Sequence, residues 1–368
     1  MKTRWVGWMS TKFPLEIPAA LDLTMYCPES FAAAAALRGG GDELCRAAER
    51  LGYVDDLCSY TRMGLAKAAG AETGGDLPRP DFLLCCDNIC SNMIQWYQEM
   101  ARLLDVPLYL LDIPFQDGPE VSAGTVGYIR CQLEEIIRHL EELTGRTWED
   151  RNFQQACRNA NASAEAWQEV LDAALADPSP VENLELFDYM PLLVTGRCRR
   201  SAADQLRQAA RMLRQRPAHG EKRSRRVFFE GTPCWPALAS LAAQLDRRNL
   251  RVVADTLSPS LGFRYQDLDG MIRAYCGTIN GTSLEAGVRT RTALCRRFGA
   301  EAVLVHYNRS CRPWCGSLPE VERCLRRELQ IPVVSFGGDQ GDPRCFSAAQ
   351  LETRLDGLAE ILEAREDA

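Results

Sequence analysis

Apolar residues follow two patterns along this chain, short unbroken runs and longer stretches in which they recur at 3,4 spacing. Asp81-Phe82-Leu83-Leu84-Cys85-Cys86, behind Pro78 and Pro80, is an unbroken run of the kind a strand buried on both faces requires. Met93, Trp96, Tyr97, Met100, Leu103 and Leu104 then describe one face of an amphipathic helix. Val106-Pro107-Leu108-Tyr109-Leu110-Leu111-Asp112 predicts a second strand. The unit is strand, loop, helix, strand. Upstream, a short N-terminal arm precedes a helix predicted over residues 28–51, where an alanine run favours helix by propensity. Downstream, the pattern predicts a helix over residues 128–143 that stops at Gly145, and more helix within residues 148–175.

The second half repeats this order. Arg226-Val227-Phe228-Phe229-Glu230 predicts a strand, residues 236–245 a helix, and Leu250-Arg251-Val252-Val253-Ala254-Asp255 a strand. Glu301-Ala302-Val303-Leu304-Val305-His306 predicts a strand leading into a loop, followed by a helix over residues 318–329. Ile331-Pro332-Val333-Val334-Ser335-Phe336 and a Gly337-Gly338 turn close the pattern. Residues 214–226, with Pro217, Gly220 and many cations but no interleaved aromatic, read as a solvated linker rather than a phosphate-binding patch. The expectation is an α/β protein of two lobes facing each other across a cleft. Residues 1–215 would form an N-terminal helical arm and a first α/β lobe with inserted helices, and residues 216–368 a second lobe.

Composition narrows the function classes. With 46% hydrophobic residues the chain has ample material for a core, and its net charge of −7 argues against a nucleic-acid partner. No apolar stretch approaches the roughly 18 residues of a membrane span, and the first residues lack the apolar core of a secretory signal. A cytoplasmic, reducing compartment is expected. The three histidines, His139, His219 and His306, leave little room for catalysis by several imidazoles, and His306 reads as a hydrogen-bonded interior residue.

Cysteine is the exception to this ordinary composition. Sixteen thiols are present, concentrated at Leu57-Cys58-Ser59-Tyr60, at Cys85-Cys86-Asp87-Asn88-Ile89-Cys90 and at Cys311-Arg312-Pro313-Trp314-Cys315. In a reducing compartment clustered thiols point to metal rather than to disulfides. Two of the clusters directly follow a predicted strand, where ligands collect in open α/β sheets. Cys86 to Cys90 and Cys311 to Cys315 each have the spacing of a ligand pair, and Cys90 falls at a predicted helix N-terminus, whose free N–H groups favour thiolate. Spacing leaves three readings open: buried thiols that pack as small hydrophobes, a structural zinc site built from the two pairs, or an iron–sulfur cluster. The packing reading suits Cys85, within a strand, and Cys45, Cys131, Cys157, Cys295 and Cys324, in helical stretches.

The residues around the thiols add a resemblance. Cys311-Arg312-Pro313-Trp314-Cys315-Gly316-Ser317-Leu318-Pro319-Glu320, with Ile331-Pro332-Val333-Val334 and Gly338-Asp339-Gln340-Gly341-Asp342-Pro343-Arg344 behind it, resembles the 2-hydroxyacyl-CoA dehydratase family, most closely its β-type (D-component) subunits. Cys58-Ser59-Tyr60-Thr61-Arg62, Asn88-Ile89-Cys90 with Gln95-Trp96-Tyr97-Gln98, and Glu230-Gly231-Thr232-Pro233-Cys234-Trp235-Pro236 are similar to further landmarks of the family. The resemblance runs in order from about Cys58 to the C-terminus.

It implies two flavodoxin-like (Rossmann-type) lobes with parallel sheets and extra helices, and a [4Fe-4S] cluster in the cleft between them, held by Cys58, Cys90 and Cys311. It also implies elimination of water from an (R)-2-hydroxyacyl-CoA to the 2-enoyl-CoA through a ketyl radical. The implied partners are a homologous α-type subunit, forming a heterodimer, and an ATP-hydrolysing [4Fe-4S] activator protein. A β-type subunit would carry an electron-relay cluster, with most of the acyl-CoA pocket in its partner, and no general base is assigned to this chain. Glu320 and Asp339 would be candidates for tuning the cluster, against a helix N-terminal charge and a turn cap. Related proteins hold a double-cubane [8Fe-9S] cluster on six cysteines, so Cys85, Cys86, Cys315 and Cys345 stand as possible additional ligands of a small-molecule reductase. A benzoyl-CoA-reductase-type subunit shares the same scaffold.

Overall fold

The computed structural model describes residues 4–217 and 224–366. His219 and residues 218–223 of the predicted linker lie outside the described residues. Among them two four-stranded sheets form, every strand pair within them parallel. The first contains β1 (Val6–Met9), β2 (Thr24–Tyr26), β3 (Phe82–Cys86) and β4 (Leu108–Leu111), in the order β2-β1-β3-β4. The second contains β5 (Arg225–Glu230), β6 (Leu250–Asp255), β7 (Ala302–Asn308) and β8 (Val333–Gly338), in the order β6-β5-β7-β8. The two orders are the same. In each, the chain winds to one edge and then crosses to the other, and the loops on either side of that reversal diverge to leave a crevice at the carboxyl ends.

Strands β3 and β5 to β8 arise where the unbroken apolar runs predict them, because a strand covered on both faces has no polar side to show. Four expectations are corrected. The N-terminal arm is not a helical preface: it supplies β1, an inner strand of the first sheet, and β2 at its edge. β1 escapes the pattern because it is four residues long and contains Gly7, which is needed there, since a Cβ would lie 2.6 Å from the Phe82 ring. The helix expected over residues 28–51 is two, Pro28–Leu37 and Gly41–Arg50, parted where Gly39 takes a φ of +85°. The helix after β7 begins at Arg312 rather than near residue 318, and Gly337 and Gly338 extend β8 instead of forming a turn.

The helices do not sort by halves of the chain. Phe31, Ala32, Ala35 and Leu44 pack with Val227, Phe229 and Leu304 of the second sheet. Trp167, Val170, Leu206 and Ala210, from helices Asp150–Ala173 and Arg200–Gln215, pack with Phe228, Val253 and Val303. In return Met271, Ile272 and Tyr275 of helix Leu268–Cys276 pack with Met9 and Phe82 of the first sheet. Each such side chain removed from water contributes about 1.5–3 kcal/mol, so the two sheets are laced together by apolar faces. No helix is long and apolar enough to cross a membrane among the described residues.

Candidate metal centre

Three of the clustered thiols occupy equivalent places, each at the start of a helix. Cys58 is the N-cap of helix Ser59–Ala68 and Cys311 the N-cap of helix Arg312–Leu329. Cys90 directly precedes Ser91, the N-cap of helix Asn92–Leu104. The first N–H groups of a helix have no partner in their own helix, and here they face sulfur: those of Tyr60 and Thr61 at Cys58, of Asn92 and Met93 at Cys90, and of Trp314 at Cys311. All three thiols line one cavity of about 190 Å³. Loops from the carboxyl ends of every strand except β4 reach its wall, so the crevices of the two sheets open into a common space.

The donor set can be tested against an iron–sulfur cluster. Burial pushes the Cys58 thiol up to about 11 against the pull of its helix N–H groups. Burial also raises Cys90, and raises Cys311 further with the nearby Cys58 sulfur adding to it. Buried thiols that sit on helix N-termini favouring anions suit a cationic centre, to which they can give up their protons. No three His, Cys, Asp or Glu side chains among the described residues are placed to hold a single metal ion. A polynuclear cluster makes no such demand, because its thiolates bind separate irons. The residues present fit the cluster.

The other cysteines near these loops are engaged elsewhere, and none of them lines this cavity. Cys85 and Cys86 point to opposite faces of β3 and belong to different apolar cores. The Cys86 sulfur lies 3.2 Å from Ser10 Oγ and donates to Asn88 Oδ1 at 3.1 Å, and burial pushes its thiol up to about 12. Cys315 lies in the first turn of its helix and donates to the Asn308 carbonyl at 2.8 Å. Cys345 sits in the short turn Pro343–Cys345 beyond β8.

Polar contacts tie the thiol loops together. The Ser59 N–H donates to Ser310 Oγ at 3.1 Å, and that hydroxyl donates to Asp339. Asp339 also accepts from the Gly341 and Asp342 N–H groups at 2.8 and 2.9 Å, so the predicted turn cap links the Cys58 and Cys311 loops as well. Arg62, on the Cys58 helix and 1% exposed, pairs with Asp342 at 3.0 Å and Glu49 at 2.7 Å. A cation so buried costs several kcal/mol unless paired, and the pairing fixes the helix to the loop after β8. Asn88 holds the loop before Cys90 by donating to the Tyr275 carbonyl at 3.0 Å and to Thr278 Oγ1 at 3.2 Å. His306 is the buried interior residue expected: its Nδ1 lies 2.6 Å from the Thr232 carbonyl, its ring stacks on Phe336, and burial lowers it to about 4. Glu320 stays on the helix surface beside Arg323, away from the cavity wall.

The cavity wall is largely apolar, with Met93, Trp96, Trp235, Leu261 and Trp314 contributing. Two ionisable residues interrupt it that the sequence pattern passed over. Burial raises the Glu29 carboxyl, although it accepts from the Thr11 N–H at 3.0 Å, the Tyr97 hydroxyl at 3.1 Å and the Cys27 thiol at 3.2 Å. Lys12 donates to the Ser260 carbonyl at 2.7 Å, and burial with the nearby Arg197 charge lowers its ammonium to about 7. The wall therefore offers a carboxyl able to keep its proton and an amine able to shed one near neutrality. Both lie just past β1 and β2, strands too short to show in the apolar pattern.

Comparison with known proteins places this architecture. A family model described as 2-hydroxyglutaryl-CoA dehydratase, D-component, matches residues 10–362. The chain belongs to this family. It is 35% identical to the alpha subunit of (R)-2-hydroxyglutaryl-CoA dehydratase of Acidaminococcus fermentans, over 98% of this chain and 92% of that one. It is 37% identical to the alpha subunit of (R)-phenyllactyl-CoA dehydratase of Clostridium sporogenes, over 99% and 91%. It is also similar, at 21% identity over 95% and 87%, to one of the subunits of benzoyl-CoA reductase of Thauera aromatica. The family expected from the cysteine loops is thus the family found, while both of these dehydratase relatives carry the name of alpha subunits.

Proposed function

We propose that this chain is the iron–sulfur subunit of an (R)-2-hydroxyacyl-CoA dehydratase and that it takes the place of the alpha subunits it is similar to. The observation that carries this reading is the convergence of Cys58, Cys90 and Cys311, each at a helix start, on one largely apolar cavity in a chain of this family. A relay subunit needs no acyl pocket. This chain has a cavity beside the thiols, so the proposal moves from the relay role of a β-type subunit to the subunit that handles substrate.

Cys58, Cys90 and Cys311 would hold a [4Fe-4S] cluster between two flavodoxin-like lobes. When bound, it would supply one-electron chemistry at the acyl thioester, fed by an ATP-hydrolysing activator and leading to loss of water through a ketyl radical. Trp96, Trp235 and Trp314 shape a wall for the acyl chain and exclude water from it. Glu29 holds or accepts a proton at its carboxylate within that wall. Lys12, whose neighbour Thr11 donates to Glu29, orients polar groups of the thioester. A homologous second subunit completes a heterodimer, and the cytoplasm is the expected compartment. The placement of Cys85, Cys86, Cys315 and Cys345 outside the wall favours one cubane over the double-cubane cluster.

Anaerobic purification with the coexpressed partner, followed by iron and sulfide analysis, tests this. About four irons and four sulfides on this chain are expected. About eight irons would favour the double cubane, and zinc without iron would overturn the cluster. Dehydration of 2-hydroxyacyl-CoA on addition of activator, ATP and a reductant tests the reaction itself.

A further inference from the structure

One side chain touches the thiol set from outside its helices. Gln340 follows β8, is 4% exposed and lines the cavity. Its Nε2 donates to Cys58 Sγ at 3.2 Å. The orientation of this amide is fixed by Asn308 at the end of β7. Asn308 Nδ2 donates to Gln340 Oε1 at 2.9 Å, and Asn308 Oδ1 accepts from the Gln340 backbone N–H at 3.2 Å. Asn308 is held in turn, since its Nδ2 also donates to Thr232 Oγ1 at 2.8 Å. A reversed Gln340 amide would set NH₂ against NH₂ at Asn308 and oxygen against sulfur at Cys58, so only one orientation satisfies all four groups.

Cys90 and Cys311 are faced by helix N–H groups, as Cys58 is, but no hydrogen bond from a side chain to their sulfurs occurs among the described residues. One thiolate of the three therefore receives an extra, oriented donor. Electron gain by an iron–sulfur centre places more negative charge on its sulfurs, and a donor aimed at sulfur stabilises the reduced state more than the oxidised one. The same amide inside an apolar wall acts with little screening from water.

We propose that Gln340, aligned by Asn308, is a positioning residue that donates to the Cys58 thiolate and raises the reduction potential of the cluster held there. This rests on the cluster reading above and adds to it an asymmetry, in which the Cys58 corner is the electron-rich one favoured on reduction.

The test is a potentiometric titration followed by electron paramagnetic resonance on the anaerobically purified complex, with iron content measured alongside. Gln340→Leu, which keeps bulk and removes the donor, should retain full iron and titrate at a more negative potential. Gln340→Glu, which turns an acceptor toward sulfur, should be more negative still. Asn308→Leu keeps Gln340 but removes the donor that fixes it without adding a charge. The Gln340 amide is then free to turn from the sulfur, and the potential falls although Gln340 is untouched. That variant decides the matter if Gln340→Leu does not fold. Variants with full iron at the wild-type potential would overturn the proposal and leave the cluster reading standing. A folded Gln340→Leu chain without iron would overturn it too, since one hydrogen bond to a bound thiolate does not decide retention. Wild-type protein without iron would remove both readings.

Discussion

The two C-x3-C segments have the same spacing and opposite use. In Cys86 to Cys90 the second cysteine faces the cavity and the first closes β3. In Cys311 to Cys315 the first faces the cavity and the second is wound into a helix, bonded to its own loop. The difference follows from where each helix begins. After β3 the chain runs to Asn92 before turning into helix, whereas after β7 it does so at Arg312. The cavity-facing thiol is in each case the one at the helix start, and Cys58 obeys the same rule without any pair. Position relative to a helix N-terminus, not spacing between cysteines, selects the thiols that face the cavity.

The largest effect should come from reversing the choice within each pair. Cys90→Ala and Cys311→Ala are expected to abolish iron binding, while Cys86→Ala, Cys315→Ala and the distant Cys157→Ala keep the full complement. Iron and sulfide per chain after anaerobic purification checks this, and an iron-replete Cys90→Ala chain would break the rule. A smaller effect should separate how the two loops are held. The loop before Cys90 is fixed from the far half of the chain, and a Cβ at Gly281 would lie 2.8 Å from the Asn88 carbonyl oxygen. Gly281→Ala should therefore cost up to about 3 kcal/mol in urea unfolding and loosen iron binding at Cys90, because backbone cannot yield as a side chain can. Unchanged stability would mean that the two loops are supported alike.

The smallest effect lies behind the second segment, at His306. Its ring stays neutral when folded down to about pH 4, whereas the unfolded chain takes up a proton near 6.5. Below pH 6.5 the unfolded state binds the extra proton, so this residue's contribution to stability falls with pH through that window. Between pH 6.5 and 5 the wild type should lose about 1.5 kcal/mol more than His306→Gln. Parallel pH profiles for the two proteins would show that the ring is not held neutral.

How legible this was depends on what each feature rests on. Strands β3 to β8 and helices such as Asn92–Leu104 could be read because apolar periodicity produces them directly. β1 and β2 could not, being short and held by tertiary pairing, β2 with β1 and β1 also with the distant β3, where Gly7 lies opposite Phe82. The three cavity thiols were readable as residues and, for Cys90, as a helix start. The engagement of Cys315 was hidden because Pro319 and Pro313 disguise a helix that in fact accommodates both. Glu29, Lys12 and Gln340 reach the cavity by tertiary placement alone. Gln340 lay inside a segment already singled out, but nothing local says that its amide would meet Cys58 across 282 positions.

The lacing of helices across the two sheets limits how this protein can move. A clamshell opening of the cleft would have to peel Phe31 and Leu44 from one sheet and Met271 from the other, exposing apolar faces on both sides at once. Traffic of any ligand into the cavity must then rely on side-chain and loop rearrangements at its mouth. The same lacing makes the covalent connection between the sheets dispensable for holding them together. A chain cut between Gln215 and Arg225 would remain one particle, its pieces reassembling as complementary fragments rather than parting as two independent domains.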